Sequence, residues 1–128
     1  MKLAEVVAPY ELCRMMPEGM LEDSLFAWYS DAEIIFNEGT IPDAIRQGKA
    51  VPAPTSMELV KWLAENANDA KIEPVSHAGY TEYVASCWVF RKGKKIRPEI
   101  RDESLVAALM RLFMVVNMDK VKERPEEP

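Results

Sequence analysis

The chain has 128 residues, enough to bury the core of one domain, and its 48% apolar content excludes an intrinsically disordered protein. Its net charge of −5 argues against nucleic-acid binding by overall charge, because such binding needs clustered Lys and Arg side chains. Residues 1–60 carry 4 basic and 10 acidic side chains, so most of the basic charge lies in the C-terminal half.

No segment is typical of a membrane span or a secretory signal. There is no run of about 18 apolar residues, and the start of the chain, residues 1–5, is charged. Cys13 and Cys87 are too few for a disulfide framework. We therefore expect a cytoplasmic protein without membrane contact, in which both cysteines are buried free thiols.

The first predicted elements are a short helix and a strand pair. Residues 8–16 have apolar side chains at helical spacing, and Pro9 is tolerated in a first turn. Pro17 then ends the helix. Residues 24–29 and 32–36 are rich in aromatic and β-branched side chains, which predicts two strands of one hairpin.

A loop and a capped helix follow. The prolines and glycine of residues 40–54 predict a linking loop with a single helical turn at 43–47; such a loop is either a functional segment or a plain connection. Thr55 and Glu58 have the spacing of a capping box, in which each side chain accepts a backbone N–H of the other. This pattern predicts a helix over residues 56–66.

The next segment predicts a second group of strands. Residues 70–75 favour a short edge strand, because Pro74 cannot donate to an inner ladder. Residues 80–90 are apolar at both alternating sets of positions, as in a central strand covered on both faces. A basic turn at 91–94 leads to a return strand over 95–100.

The last helix is predicted over residues 103–117, with Asp102 as its cap. It is apolar on nearly every side, which is typical of a helix buried on more than one face. Four residues are expected to face the sheet: Leu105, Leu109, Leu112 and Val116. The remaining apolar side chains, Met110, Phe113 and Met114 among them, either pack in the core or form an interface with a partner or a second subunit.

The element order predicts an α+β fold in which helices pack against a mostly antiparallel sheet. We expect residues 1–118 to form a single small domain. Residues 119–128 are polar, and we expect them to form a disordered tail.

Three motifs carry a resemblance: Glu-Asp-Ser-Leu-Phe-Ala-Trp-Tyr at 22–29, Pro-Ala-Pro-Thr-Ser-Met-Glu-Leu-Val-Lys-Trp-Leu at 52–63, and Glu-Ser-Leu-Val-Ala-Ala-Leu-Met-Arg-Leu-Phe at 103–113. Together they resemble small uncharacterised proteins of phages, prophages and gut-bacterial mobile elements, with a "PAPT…EL…L" helix start and a closing "SL..AL...L" helix. The resemblance covers residues 22–118 and departs at Ala64–Asn66, where a proline is common. It implies an α+β fold and a bacterial cytoplasmic setting, and it implies no activity.

Few side chains are candidates for chemistry. His77 is the one histidine, lies in a predicted turn, and has no second ligand at metal-site spacing. Cys87 lies in an apolar run and Cys13 on a helix, where burial disfavours the reactive thiolate. We therefore expect no catalytic residue, no cofactor and no metal.

Five cations of the predicted hairpin are candidate nucleic-acid contacts: Arg91, Lys92, Lys94, Lys95 and Arg97. They lie within the basic segment 91–101 and could contact phosphates, while Trp88 or Phe90 adds stacking. The alternative is a solvated turn whose charge protects an edge strand from aggregation.

The sequence predicts an accessory protein that binds a protein partner without catalysis, with a homodimer as an open alternative. A second hypothesis is weak nucleic-acid binding through the basic hairpin. A third is an enzyme whose site has no visible sequence signal.

Overall fold

The computed structural model describes residues 5–17, 19–30, 33–36, 47 and 50–118. Its elements are α1 (Tyr10–Cys13), β1 (Phe26–Ser30), β2 (Glu33–Phe36), β3 (Val51–Pro52), α2 (Ser56–Asn66), β4 (Asn68–His77), β5 (Tyr80–Arg91), β6 (Lys94–Ile96), β7 (Glu99–Asp102) and α3 (Leu105–Val116). The strands pair antiparallel in two sheets, which confirms the predicted α+β class. Among these residues no helix is long and apolar enough to cross a membrane. The predicted tail, 119–128, lies outside the described residues.

The first sheet has the strand order β2-β1-β3. Its β1–β2 pair, with Phe26 opposite Phe36, confirms the predicted hairpin. Strand β3 lies in the predicted 40–54 loop and was not expected, because two residues are too short to show an alternating pattern. Most of that loop, including residues 43–46 of the predicted helical turn, lies outside the described residues.

Helix α1 is shorter than the predicted 8–16, and bonds to distant residues explain why. Ala8 N–H donates to the Pro54 carbonyl at 2.9 Å, and the Ala8 carbonyl accepts from Trp28 Nε1 at 2.8 Å. These bonds use both backbone groups of Ala8 outside any helix, and the helix begins only after Pro9.

Helix α2 begins at the predicted capping box. Thr55 Oγ1 accepts from Glu58 N–H at 3.3 Å, and Glu58 Oε1 accepts from Thr55 N–H at 2.9 Å. Glu58 Oε2 also accepts from Leu25 N–H, at 2.9 Å, just before β1. The helix start is therefore joined to the first sheet as well as capped.

The second sheet has the order β4-β5-β6, and β7 also pairs with β5. Strand β4 is longer than the predicted 70–75 but lies at the edge of the sheet, as expected for a strand containing Pro74. The predicted return strand, 95–100, divides into β6 and β7 at Arg97–Pro98. Pro98 has no N–H to donate and restricts the residue before it, so the ladder is interrupted there.

The cap of α3 is Ser104 and not Asp102. Ser104 Oγ accepts from Ala107 N–H at 3.2 Å, and the helix begins at Leu105. Asp102 ends β7, and its Oδ1 accepts from Ser104 N–H at 2.8 Å. Both residue types are good caps, so the sequence pattern alone did not distinguish them.

Helix α3 lies in one core cluster that includes residues from the N-terminal segment, β1, α2 and β5. Met110 and Phe113 are fully buried, and the Phe113 ring lies 4.7 Å from that of Trp62 in α2. Met114 is partly buried. The chain itself covers Met110 and Phe113, so these two side chains are not available as the surface interface considered from the sequence.

We predict that the capping box stabilises the fold through both partners. Thr55→Ala should lower the free energy of unfolding by about 1 kcal/mol. Glu58→Ala should lower it further, by about 2–3 kcal/mol, because it removes two hydrogen bonds to a charged group. Urea unfolding followed by circular dichroism measures both values. Glu65→Ala, at the other end of the helix, is the control and should change little; equal effects of Glu58→Ala and Glu65→Ala would contradict the prediction.

Candidate functional site

The two faces of the second sheet differ in what covers them. Ala85, Cys87 and Val89 of β5 point into the core cluster. The alternate residues form what we call the outer face: Glu82, Val84, Ser86, Trp88 and Phe90. Val84 and Ser86 are each only 8% exposed, as predicted for a strand covered on both faces, but Phe90 is 63% exposed and contradicts that prediction at the end of the strand.

Arg97 crosses the outer face and joins β4 to the segment between β6 and β7. Its Nε donates to Ser86 Oγ at 3.1 Å, and its Nη2 donates to the Asp69 carbonyl at 2.8 Å. A salt bridge joins Nη1 to Asp69 Oδ2 at 3.2 Å. Asp69 has a φ of +56° and lies in an irregularity of the β4 ladder, which is how its carbonyl and carboxylate both reach Arg97.

Trp88 and Phe90 present their rings differently. Lys95 Nζ lies 4.8 Å and the Arg97 guanidinium 5.2 Å from the centroid of the Trp88 ring, so this ring is already engaged by two cations. Phe90 is paired with Lys95 in the ladder, and directly paired residues point to the same face. An exposed aromatic side chain and a lysine therefore share the outer face.

The turn that joins β5 to β6 holds a lysine in an unfavourable backbone conformation. Lys92 has a φ of +53° and Gly93 a φ of +79°, the two positive values of a type I′ turn. Asn and Gly favour the first of these positions, whereas a residue such as lysine is disfavoured there. The turn thus carries a positive charge at its tip in place of the residue that would best fit the backbone.

Arg91 is used within the fold. Its Nη2 donates to the Val115 carbonyl at 2.6 Å, near the C-terminus of α3, where a cation is favoured by the helix dipole. Its Nη1 donates to the Phe90 carbonyl at 3.0 Å. This contact ties the hairpin to the last helix.

The five predicted contact residues therefore divide into two groups. Arg91 and Arg97 make structural hydrogen bonds, whereas the lysines form no ion pair within the described ranges. We call the following set the hairpin patch: the half-buried Trp88 and the exposed Phe90, Lys92, Lys94 and Lys95. No acidic residue occurs between Glu82 and Glu99 in the sequence, so the local charge is positive although the chain is acidic. Exposed charges more than about 8 Å away are largely screened at physiological salt.

His77 has a partner that the sequence did not reveal. Its Nε2 lies 3.1 Å from Glu82 Oε1, and its ring stacks on Tyr80 with centroids 4.6 Å apart. Arg101 Nη1 lies 3.4 Å from the same Glu82 oxygen. The hairpin register brings these side chains together, and they form a partly exposed polar network that contains the Arg101–Glu82 ion pair.

The two cysteines are free and buried, as expected. Burial raises the pKa of Cys13 from its ordinary value of 9.0 to about 12. Burial also raises the pKa of Cys87, although Arg97 and Arg91 oppose that shift. Neither thiol is positioned or charged as a nucleophile. Within the part of the chain that the structure describes, no group of three or more His, Cys, Asp or Glu side chains is arranged to hold a metal ion.

Comparison of the chain with protein-family models, with curated proteins and with solved structures finds no match. The resemblance to phage and mobile-element proteins therefore stays a prediction.

We predict that Cys13 makes the protein less stable at alkaline pH. Its pKa is higher in the folded than in the unfolded chain, so its contribution to stability is complete below about pH 9 and is lost as the pH rises towards about 12. Urea unfolding of wild type and Cys13→Ala at about pH 8 and about pH 10.5 measures the contribution of Cys13 at each pH. The two proteins share every other titrating group, so the effects of those groups cancel in the comparison. The stability advantage of wild type should shrink at the higher pH; an advantage independent of pH would contradict the prediction.

We also predict that the tip of the hairpin is not optimised for stability. Lys92→Asn should raise the free energy of unfolding by roughly 0.5–1 kcal/mol, because asparagine adopts positive φ more readily. The urea midpoint measures the change. Lys94→Asn, at a strand position beside the turn, is the control and should give no gain. A lower midpoint for Lys92→Asn would show that the lysine stabilises the turn.

Proposed function

We propose that this protein is a non-catalytic accessory protein that binds single-stranded nucleic acid through the hairpin patch. The observation that carries the proposal is the exposed Phe90 directly opposite Lys95, at the strand end where Lys92 and Lys94 also form no ion pair with the residues that the structure describes. Aromatic side chains that stack on bases, next to cations that contact phosphates, are the usual means of binding single strands.

Each part of the patch has a distinct role in this proposal. The Phe90 ring stacks on an unpaired base, and the three lysines contact the backbone phosphates on either side of it. Lys95 also lies over Trp88, which keeps its ammonium group on the same face of the sheet as Phe90. A single strand fits better than a duplex, because the bases of a duplex are already stacked on one another.

The strain at Lys92 supports the proposal. A residue kept in a sparsely populated backbone conformation commonly marks a functional position. Here the unfavourable φ places an ammonium group at the tip of a rigid two-residue turn, next to Lys94. The backbone of the turn gains no stability from this choice of residue.

The number of free lysines sets the expected salt dependence. Three phosphate contacts on a single strand correspond to a slope of about −2 for the logarithm of the binding constant against that of the salt concentration. The acidic remainder of the chain limits the affinity, since it repels phosphates that approach other surfaces.

We therefore expect binding of fluorescein-labelled oligo-dT or oligo-U, about twelve nucleotides long, to be measurable by fluorescence anisotropy at low salt. The triple variant Lys92→Gln, Lys94→Gln, Lys95→Gln should abolish most of the salt dependence. Phe90→Ala should weaken binding by about 1–3 kcal/mol, the value of one stacked base. Circular dichroism should show that both variants keep the wild-type fold.

Matched variants control for charge and for aromatic exposure. Arg14→Gln, Lys61→Gln, Arg111→Gln removes the same charge from other elements, and Phe36→Ala removes an exposed ring of the first sheet. Neither should change the affinity. An equal loss of oligonucleotide affinity in the hairpin triple variant and in the control triple variant would contradict the proposal. So would binding of an oligoglutamate peptide as tight as that of the oligonucleotides, which would indicate an acidic protein partner instead.

A further inference from the structure

A second surface, remote in sequence from the hairpin patch, forms an open groove of about 660 Å³. The N-terminal segment, the starts of α2 and α3, and Tyr83 of β5 line it, and we call it the helix-start groove. Its volume falls in the range of ligand sites in proteins, about 300–1,000 Å³.

The walls of this groove are mainly apolar, and the charged side chains among its described lining residues are acidic. Val6, Pro9, Met57 and Leu105 are among the lining side chains, and Met57 is 78% exposed. Two carboxylates, Glu5 and Glu103, also line the groove, and none of its lining residues within the described ranges is a Lys or Arg. Neither carboxylate forms an ion pair with any residue in the described ranges.

The helix starts add backbone donors. Thr55 and Ser104 each accept from the N–H three residues later. The N–H groups of Ser56, Met57, Leu105 and Val106 have no acceptor within their helices, because the first residues of any α-helix lack one. These four groups form no hydrogen bond to the described parts of the chain, and they belong to residues that line the groove.

We propose that the helix-start groove binds a basic peptide segment of a partner protein, in which a large apolar side chain is flanked by lysine or arginine. The apolar side chain lies against the walls, where methionine adapts to irregular surfaces. The flanking cations pair with Glu5 and Glu103, neither of which pairs with a cation in the described part of the chain. The peptide carbonyls accept from the free N–H groups of the helix starts.

Charge distinguishes this occupant from the ligand of the hairpin patch. Carboxylates at the groove repel phosphates, and a basic peptide is likewise repelled by the lysines of the patch. The two sites therefore take ligands of opposite charge and are tested separately.

The probe is a fluorescein-labelled heptapeptide of alternating lysine and leucine, measured by fluorescence anisotropy. Binding to wild type is expected, and Glu5→Gln, Glu103→Gln should weaken it about tenfold, as expected for two surface ion pairs. Glu65→Gln, Glu73→Gln removes the same charge elsewhere and should leave binding unchanged. Met57→Lys, an exposed change that the fold should tolerate, should also weaken binding, whereas Ala64→Lys on the same helix should not.

Amide chemical shifts locate the probe directly. On adding the peptide, the shifts that change should be those of residues 5–9, 55–57 and 103–106. Shifts confined to other residues would overturn the proposal. So would equal binding of a peptide with glutamate in place of lysine, or of one with serine in place of leucine. An equal loss of binding in the variant Glu5→Gln, Glu103→Gln and in the variant Glu65→Gln, Glu73→Gln would show that only the overall charge of the protein matters. That result would also overturn the proposal.

Discussion

The carboxylate of Glu58 holds together segments that are distant in the chain. One oxygen accepts from Thr55 N–H and the other from Leu25 N–H, so a single side chain fixes both where α2 begins and how the chain enters β1. Thr55 in turn forms a bridge with Val7 of the N-terminal segment. One point of attachment therefore joins the start of α2, the first sheet and the N-terminal segment. The helix-start groove, which the N-terminal segment and the start of α2 line, depends on it.

Sequence patterns predicted the elements whose causes are local. Thr55 and Glu58 are three residues apart, and α2 has the expected bounds. The shortened α1 depends instead on bonds from Ala8 to Pro54 and Trp28, and no local pattern contains that information. The two-residue β3 was missed for a similar reason, because it is a strand only through its pairing with β1.

The candidate site was predictable as a set of residues but not in the roles of its members. The cations are contiguous in sequence, so their cluster was visible. Which of them are free depends on partners far along the chain: Arg91 reaches a carbonyl 24 residues away, and Arg97 reaches Asp69 at a separation of 28. The exposure of Phe90 likewise depends on which face of β5 the helices cover.

The two-residue turn at Lys92–Gly93 also fixes which side of the sheet each residue of β6 occupies. Neighbouring residues of a strand point to opposite faces, so one inserted residue would move Lys95 to the helix side and bring Ile96 to the other. An insertion of two residues would leave each residue of β6 on its present face of the sheet. In any protein that descends from the same ancestor and keeps this arrangement, the length of this turn should therefore vary in even steps.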